Sequence, residues 1–410
     1  MSLPPLHGRR VIELGTMVAA PFATHILSQL GAEVIKVEPP SGDTTRALLR
    51  GGPSGSFIAY NHGKKSLSID LASEHGGAAF RRLLATADVL VHNLSPAAAR
   101  KLGLAPQQLA QVQPQLVSCH IRGYAEGPQA DDLATNPVAE AATGVMADHL
   151  VDGRPSRLGP SYHDQFAGAY AVIRVLATLL QDARDGAGTA GRRHHQVGLY
   201  ETGLHVAARD LAGVQLKTQL IGRPEREGGG EFSMPGYGAY QCADGRWLYL
   251  LVLTDAHWCK LARALAMPEA DDPALAQLRQ RKKQRERVEA AVRTAVGALG
   301  FDAAAARLRA AGVGFTEVLP MERVLESPQA RAPGKLRQVD YRGHAFDLPE
   351  FPGGGAPAAA LPPPELGAHT LELLRSLGLD DRTLDTLVSR GDVKVAADGD
   401  FAWAPVRRAD

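Results

Sequence analysis

Two short apolar runs separated by one helical stretch constrain this chain more than any other feature. Arg10-Val11-Ile12-Glu13-Leu14 reads as a buried strand that Gly15 ends, and a helix from about Pro21 to Leu30 is stopped by Gly31. Glu33-Val34-Ile35-Lys36-Val37-Glu38 then reads as a second strand. Strand, helix and strand within about 30 residues make a βαβ unit, whose right-handed crossover lays the two strands parallel. The pattern recurs as strand Leu67–Leu71, helix Glu74–Leu84, strand Asp88–Asn93, short helix Pro96–Leu102 and strand Leu116–Ile121. The expected fold class is therefore α/β, with a doubly wound parallel sheet and ligands at the carboxyl ends of its strands.

The turn after the first strand, Gly15-Thr16-Met17-Val18-Ala19-Ala20-Pro21, lacks GxGxxG spacing, so no dinucleotide fingerprint is present. Its small residues still let a ligand approach the backbone and a helix N-terminus. Asn93 and the triplet Arg122-Gly123-Tyr124 fall at later strand ends and, with residues 15–19, outline one crevice. Asn61 to Ser66, with Lys64 and Lys65, and the Ala99-Arg100-Lys101-Leu102-Gly103 turn add basic groups near the same sheet. They read either as solvated surface cations or as a site for phosphates.

The chemistry is expected at Ser161-Tyr162-His163-Asp164-Gln165-Phe166-Ala167-Gly168, just before the apolar run Ala169 to Leu180. That run is long enough for a core helix of about three turns. Asp164 then reads as an N-cap that accepts a backbone N–H, or as a nucleophilic carboxylate whose pKa the helix N-terminus lowers. His195 to Tyr200 is a further strand, and a helix follows from about Glu201 to Leu216.

A chain of 410 residues exceeds one ordinary core. Residues 1–220 are expected as the large domain and 326–410 as its return. Residues 221–325 form a smaller α+β domain, with a hairpin turning at Asp244-Gly245 and helices near 255–265, 282–298 and 302–311. The run Arg279 to Arg287 has no aromatic neighbours and reads as a solvated helix face. Gly353 to Pro364 is a connector, and the amphipathic helices Thr370–Leu377 and Asp381–Ser389 need a docking surface, the first domain or a second subunit. A net charge of +1 argues for no nucleic-acid partner, and no run of 18 apolar residues argues for a membrane. Three scattered cysteines without a CxxC pair and the lack of a leader pattern suit the cytoplasm, and no metal is expected.

Seven segments occur in an order that resembles the family III CoA-transferases, the group of formyl-CoA transferase, carnitine CoA-transferase and the α-methylacyl-CoA racemase branch. They are Leu6 to Leu14, Leu30 to Asp43, Asn61 to Leu71, Ala87 to Asn93, Lys101 to Leu104, the Asp164 stretch, and Pro364 to Thr370. The resemblance implies a Rossmann-like large domain built from both ends of the chain, a small inserted domain and an interlocked homodimer. It matches the family's catalytic aspartate to Asp164. It matches CoA-binding positions to Thr16, Met17, Val18, Ala19, Ile69, Ala72, Asn93, Leu94, Lys101, Leu102, Arg122, Gly123 and Leu199, with Lys101 in place of an arginine. Tyr124 and Asn136 are expected on the substrate side, and Gly228-Gly229-Gly230 as a glycine-rich lid.

Coenzyme A and its acyl thioesters are thus expected as substrates, not permanent cofactors. The expected reaction moves CoA from an acyl-CoA to a carboxylic acid through aspartyl anhydride and aspartyl-CoA intermediates. The acid is expected to be a small dicarboxylate such as succinate, mesaconate or itaconate, with transfer between or within molecules, and Arg122, Arg157 or His163 are candidates to hold its second carboxylate. Val18 replaces the glutamine of formyl-CoA transferase, and Thr135 stands where the racemase branch has its catalytic histidine. Ala134 to Pro137 and Leu253 to Trp258 look most like the mesaconyl-CoA C1–C4 transferase branch. The alternatives are an acyl-CoA racemase or isomerase working by α-proton exchange, and a CoA-binding protein in which Asp164 is only a cap.

Overall fold

Parallel strands buried on both faces need apolar residues at successive positions, and β1 (Arg10–Leu14) and β2 (Glu33–Glu38) supply them with α1 (Ala19–Gln29) between. The computed structural model describes residues 3–49, 52–186, 193–221, 234–353 and 361–396. The large unit continues with α2 (Gly55–Asn61), β3 (Lys65–Ile69), α3 (Glu74–Leu84), β4 (Val89–His92), α4 (Pro96–Lys101), α5 (Pro106–Val112) and β5 (Val117–Arg122). Then come α6 (Asn136–Ala142), α7 (Val145–Asp148), a hairpin of β6 (Leu150–Val151) and β7 (Arg154–Pro155), α8 (Tyr162–Asp185), β8 (His194–Gly198) and α9 (Leu199–Val206).

The chain divides into two units, Met1–Ala208 with Ala332–Asp410, and Arg209–Arg331. The smaller holds nearly all of α10 (Ala208–Ile221), then β9 (Gly238–Gln241), β10 (Trp247–Leu251), α11 (Asp255–Ala264), α12 (Leu278–Lys283), α13 (Arg285–Gly297), α14 (Phe301–Ala310), β11 (Gly314–Glu317) and α15 (Met321–Val324). Its antiparallel sheet has the order β11-β10-β9 and packs Leu248 and Leu250 against Trp258, Val292 and Leu308. The basic run is not wholly a solvated face. Arg281 is buried, donating to the carbonyls of Leu275 and Ala276 and to Asp255 Oδ1.

The large unit resumes with the hairpin β12 (Leu336–Tyr341) and β13 (His344–Pro349), then α16 (Thr370–Ser376), α17 (Asp381–Ser389) and β14 (Val393–Lys394). Its sheet has the order β14-β3-β2-β1-β4-β5-β8, all parallel except β14, which pairs antiparallel with β3. Strand order therefore reverses between β1 and β4, where a doubly wound sheet opens a crevice. Side chains alternate between two cores. Val11, Val34, Val89 and Val117 meet α1 and α8 on one face, while Ile12, Ile35, Leu67 and Leu90 meet α3 on the other. Leu373, Leu374, Leu384 and Leu387 join that second core, so α16 and α17 dock on the sheet of their own chain.

Among the described residues α8 is the one helix long and apolar enough to cross a membrane by length and composition. Its buried face, Ala167, Gly168, Ala171, Val172 and Val175, instead fills the first core. Gly168 sets the spacing, because a Cβ there would lie 2.8 Å from the Ala19 carbonyl oxygen and 3.0 Å from the Phe22 ring. Gly168→Ala gains helix propensity, worth about 1 kcal/mol. Overpacking against backbone costs about 1–3 kcal/mol and wins. The variant should lower the urea midpoint at unchanged m, and a raised midpoint would show that the α1–α8 contact is slack.

Candidate functional site

Asp164 is not the cap of α8. The helix starts at Tyr162, and the residue before it, Ser161, makes no side-chain cap bond. The cap comes from α6. Asn136 Oδ1 accepts from the backbone N–H of His163 at 2.9 Å and of Asp164 at 3.4 Å, and its Nδ2 donates to Glu140 Oε1 at 2.5 Å. Glu140 Oε2 accepts from Leu158 N at 3.4 Å. Asn136 is 2% exposed and Glu140 0%, so Asn136 is a buried bracket beneath the start of α8.

The bracket leaves the Asp164 carboxyl with no hydrogen bond among the described residues, and half-buried. Its pKa moves opposite to the expectation. Burial pushes it up to about 6, the Arg157 cation opposes that, and Glu140 adds to it. Desolvation outweighs the helix N-terminus, whose free N–H groups Asn136 already occupies. His163 faces away toward α9. It is buried, and its Nε2 meets Thr143 Oγ1 at 3.2 Å while that hydroxyl donates to the Ala139 carbonyl. A Cβ on Gly203 would fall 2.4 Å from the same nitrogen, so His163 packs closely against α9. Arg157 is exposed and its charge acts on Asp164.

At the sheet's switch point the first turn is clamped. Thr16 N donates to Asn93 Oδ1 at 3.0 Å, and Asn93 Nδ2 donates to Thr16 O at 2.8 Å, which spans the ends of β1 and β4. Met17 follows with φ +66° and is 44% exposed. Val18 is the N-cap of α1 and offers no side-chain bond. Ala19 is buried with its carbonyl against Gly168, one turn beyond Asp164. Leu94, Arg122, Gly123 and Leu199 follow or end β4, β5 and β8, so these positions, with Thr16 and Asn93, lie at neighbouring strand ends.

Several of them have duties within the protein. Arg122 donates to Gln196 Oε1 and to the Ala130 carbonyl, which fixes its guanidinium at the end of β5. Gly123 is glycine because a Cβ would lie 2.6 Å from that of Ala134. Tyr124 is buried, with its ring against that of Tyr200. Ile69 is wholly buried, and β14 pairs beside it. Ala72 and Lys101 are exposed, Leu102 packs on the second core, and the Leu94 carbonyl meets His120 Nε2 at 2.8 Å. Gly228, Gly229 and Gly230 lie outside the described residues.

Lys64 fits neither reading of the basic stretch, whereas Lys65 is a partly exposed cation held in surface ion pairs. Lys64 is buried, with its ammonium 2.7 Å from Glu13 Oε2 and donating also to Pro21 O, Thr24 Oγ1 and Asn61 Oδ1. Lys65 pairs with Glu33 and Glu372. Lys36 meets Glu13 Oε1 at 2.8 Å, Asp43 Oδ2 at 2.9 Å and the Gly15 carbonyl at 2.8 Å. Arg46 forks onto Glu38 with both contacts at 2.6 Å. This network escaped the sequence reading, but its signal was there: Glu13 and Lys36 interrupt two otherwise apolar strands and prove to be register partners.

The sequence profile described as CoA-transferase family III matches residues 6–370. A succinate–glutarate CoA-transferase of Agrobacterium fabrum is 31% identical over 93% of this chain and 97% of its own length. A succinyl-CoA:glutarate CoA-transferase of Homo sapiens is 28% identical over 96% and 90%. The crystal structure of a CAIB/BAIF family protein from Brucella suis superposes with a TM-score of 0.78 at 28% identity, covering 92% of this chain and 100% of that one.

The raised pKa has a consequence for stability. The folded state holds the Asp164 proton up to about pH 6, whereas the ordinary value is 3.8. Stability from this group is thus complete below 3.8 and declines as pH rises through 6. Asp164→Asn removes the cost of ionisation and should stabilise the protein by about 1–2 kcal/mol at pH 7.5, with the gain vanishing near pH 4. Thermal unfolding at both pH values reads this directly, and a variant less stable than wild type at pH 7.5 would contradict it. Asn136→Ala removes the bracket and should cost about 2 kcal/mol or more.

Proposed function

The chain belongs to CoA-transferase family III, and from that premise we propose that it moves CoA between an acyl thioester and a small dicarboxylate by covalent catalysis at Asp164. The observation that carries this reading is the unpaired Asp164 carboxyl, held on the first turn of α8 by a bracket that spares its oxygens. A pKa near 6 keeps it ionised at neutral pH and makes it a stronger nucleophile than an ordinary aspartate.

The Asp164 carboxylate attacks the thioester carbonyl, the C–S bond breaks, and CoA leaves as the thiolate with the bonding pair. The product is an aspartyl–acyl anhydride. The thiolate then attacks the aspartyl carbonyl and expels the donor acid as carboxylate, which leaves an aspartyl-CoA thioester. An acceptor carboxylate attacks that thioester and releases the thiolate, and the thiolate closes the cycle at the acceptor's carbonyl, freeing Asp164. No proton need be transferred in any step, which suits a site where Glu140, the acid whose charge acts on Asp164, is buried and bound to Asn136.

The dicarboxylate reading is supported by the succinate and glutarate named in the relatives' activities and by Arg157, the exposed cation that acts on Asp164. Transfer within one diacid, as in the mesaconyl-CoA branch, uses the same parts. A two-base racemase is disfavoured because Thr135 is an exposed hydroxyl residue at the start of α6. A binding protein with Asp164 as a cap is disfavoured because Asn136 does the capping. An apolar stripe of α8 and α9, formed by Tyr162, Phe166, Ile173, Leu180 and Val206, is exposed, and we take it as surface that a second copy covers in a homodimer.

Intact mass after mixing with succinyl-CoA and trapping with hydroxylamine or borohydride should show a modification on Asp164 that Asp164→Ala lacks. Deuterium entry at the α-carbon without any modification would sink the transferase reading. Arg157→Gln should move the acid limb of kcat/KM upward from about pH 6 and raise the acceptor KM, because the cation that opposes protonation is gone. An unmoved limb would detach Arg157 from Asp164.

A further inference from the structure

Asp43 is a buried acid that plays no part in the steps above, yet it is bonded to Thr16 in the turn between β1 and α1. We propose that Asp43 is a positioning residue for the acyl-CoA, acting through Thr16 to hold the left-handed turn at Met17 in place; this rests on reading the β1–β4 crevice as the CoA site.

Asp43 Oδ1 accepts from Thr16 Oγ1 at 2.8 Å, Thr45 N at 2.9 Å and Thr45 Oγ1 at 2.7 Å. Its Oδ2 pairs with Lys36, the ammonium that also holds the Gly15 carbonyl. Gly15 and Thr16 are thus both gripped from the β2 side by one ion pair. From the β4 side Asn93 grips the Thr16 N–H and carbonyl. Every polar atom of Thr16 is taken, and the next residue must turn at φ +66°. A non-glycine residue there is strained and persists only where its surroundings over-determine it.

The strained turn sits at the start of α1, whose first N–H groups no side chain caps and whose Ala19 carbonyl packs on Gly168 beyond Asp164. Releasing Thr16 would let Met17 relax to negative φ and swing those N–H groups away from the ligand. Asp43 therefore acts on binding and alignment without touching the reacting atoms.

The test is a double-mutant cycle read as the Kd for CoA by calorimetry. Asp43→Asn keeps the size of the side chain but sets an amide against the Lys36 ammonium. It should raise Kd about tenfold, the scale of one charged hydrogen bond, and lower kcat/KM at least as much. In a Thr16→Val background the same substitution should have no further effect on Kd. Thr45→Val removes a bond to the same carboxylate on the side away from the turn, so it should lower the urea midpoint and leave Kd unchanged. An unmoved Kd in Asp43→Asn, additive effects with Thr16→Val, or an equal loss from Thr45→Val would overturn the proposal. The Asp164 adduct, trapped on the same samples, tests the covalent reading separately: a missing adduct with the Kd shift intact fells that reading and leaves the positioning role standing. No CoA binding by the wild type overturns both.

Discussion

The pair Glu13–Lys36 lies in register across β1 and β2, in a sheet whose two faces are both covered. An unpaired charge there would cost several kcal/mol or more, so the two must stay together. Around them Lys64, Asp43, Glu38 and Arg46 complete a buried set of three acids and three bases. The set reaches outward at each point: Lys36 to the Gly15 carbonyl, Lys64 to the Pro21 carbonyl and Thr24, Arg46 to the Pro364 carbonyl. An apolar cluster of equal volume would hold the core as well. It would not orient carbonyls, and so the first turn, α1 and the returning chain would lose their common reference.

The site uses charge in two opposed ways. Beneath the first turn every acid is matched by a base, and the result is rigidity. At the start of α8 the protein spends its polar groups on the backbone and leaves the Asp164 carboxyl without a hydrogen-bonding partner among the described residues. Asn136 takes the helix N–H groups, Glu140 takes Asn136, and desolvation raises the acid that remains. A residue that is costly to ionise and unbound is suited to form a bond. Gly168 lets the two regions approach, because no side chain separates α8 from the first turn of α1.

Much of this was legible beforehand for physical reasons. The parallel sheet follows from apolar runs such as Val34 to Val37 set between helical stretches, and Asp164 stood out as an acid at the head of an apolar helix. Their places at strand ends put Asn93 and Thr16 at one crevice, although not that Asn93 would be occupied by Thr16. What stayed hidden depended on tertiary partners. Whether Lys64 is a surface cation or a buried one is decided by Glu13, 51 residues away. Whether Asp164 caps its helix is decided by Asn136, 28 residues away. The short β14 carries two residues and no pattern of its own, and it exists because β3 offers an open edge.

That last strand affects how the molecule can be made. Gly367 N donates to Ser66 Oγ, Thr370 Oγ1 accepts from Ser68 N, and Asp70 N donates to the Asp392 carbonyl, so residues about 300 apart in sequence finish one edge. On a ribosome the β3 edge must wait, exposed, until Val393 and Lys394 have emerged, at about 5–20 residues per second. Such long-range pairing slows folding and leaves an open strand that recruits other chains in the meantime. Synthesis rate and chaperone supply, more than the strength of the finished core, should therefore set the yield of native protein.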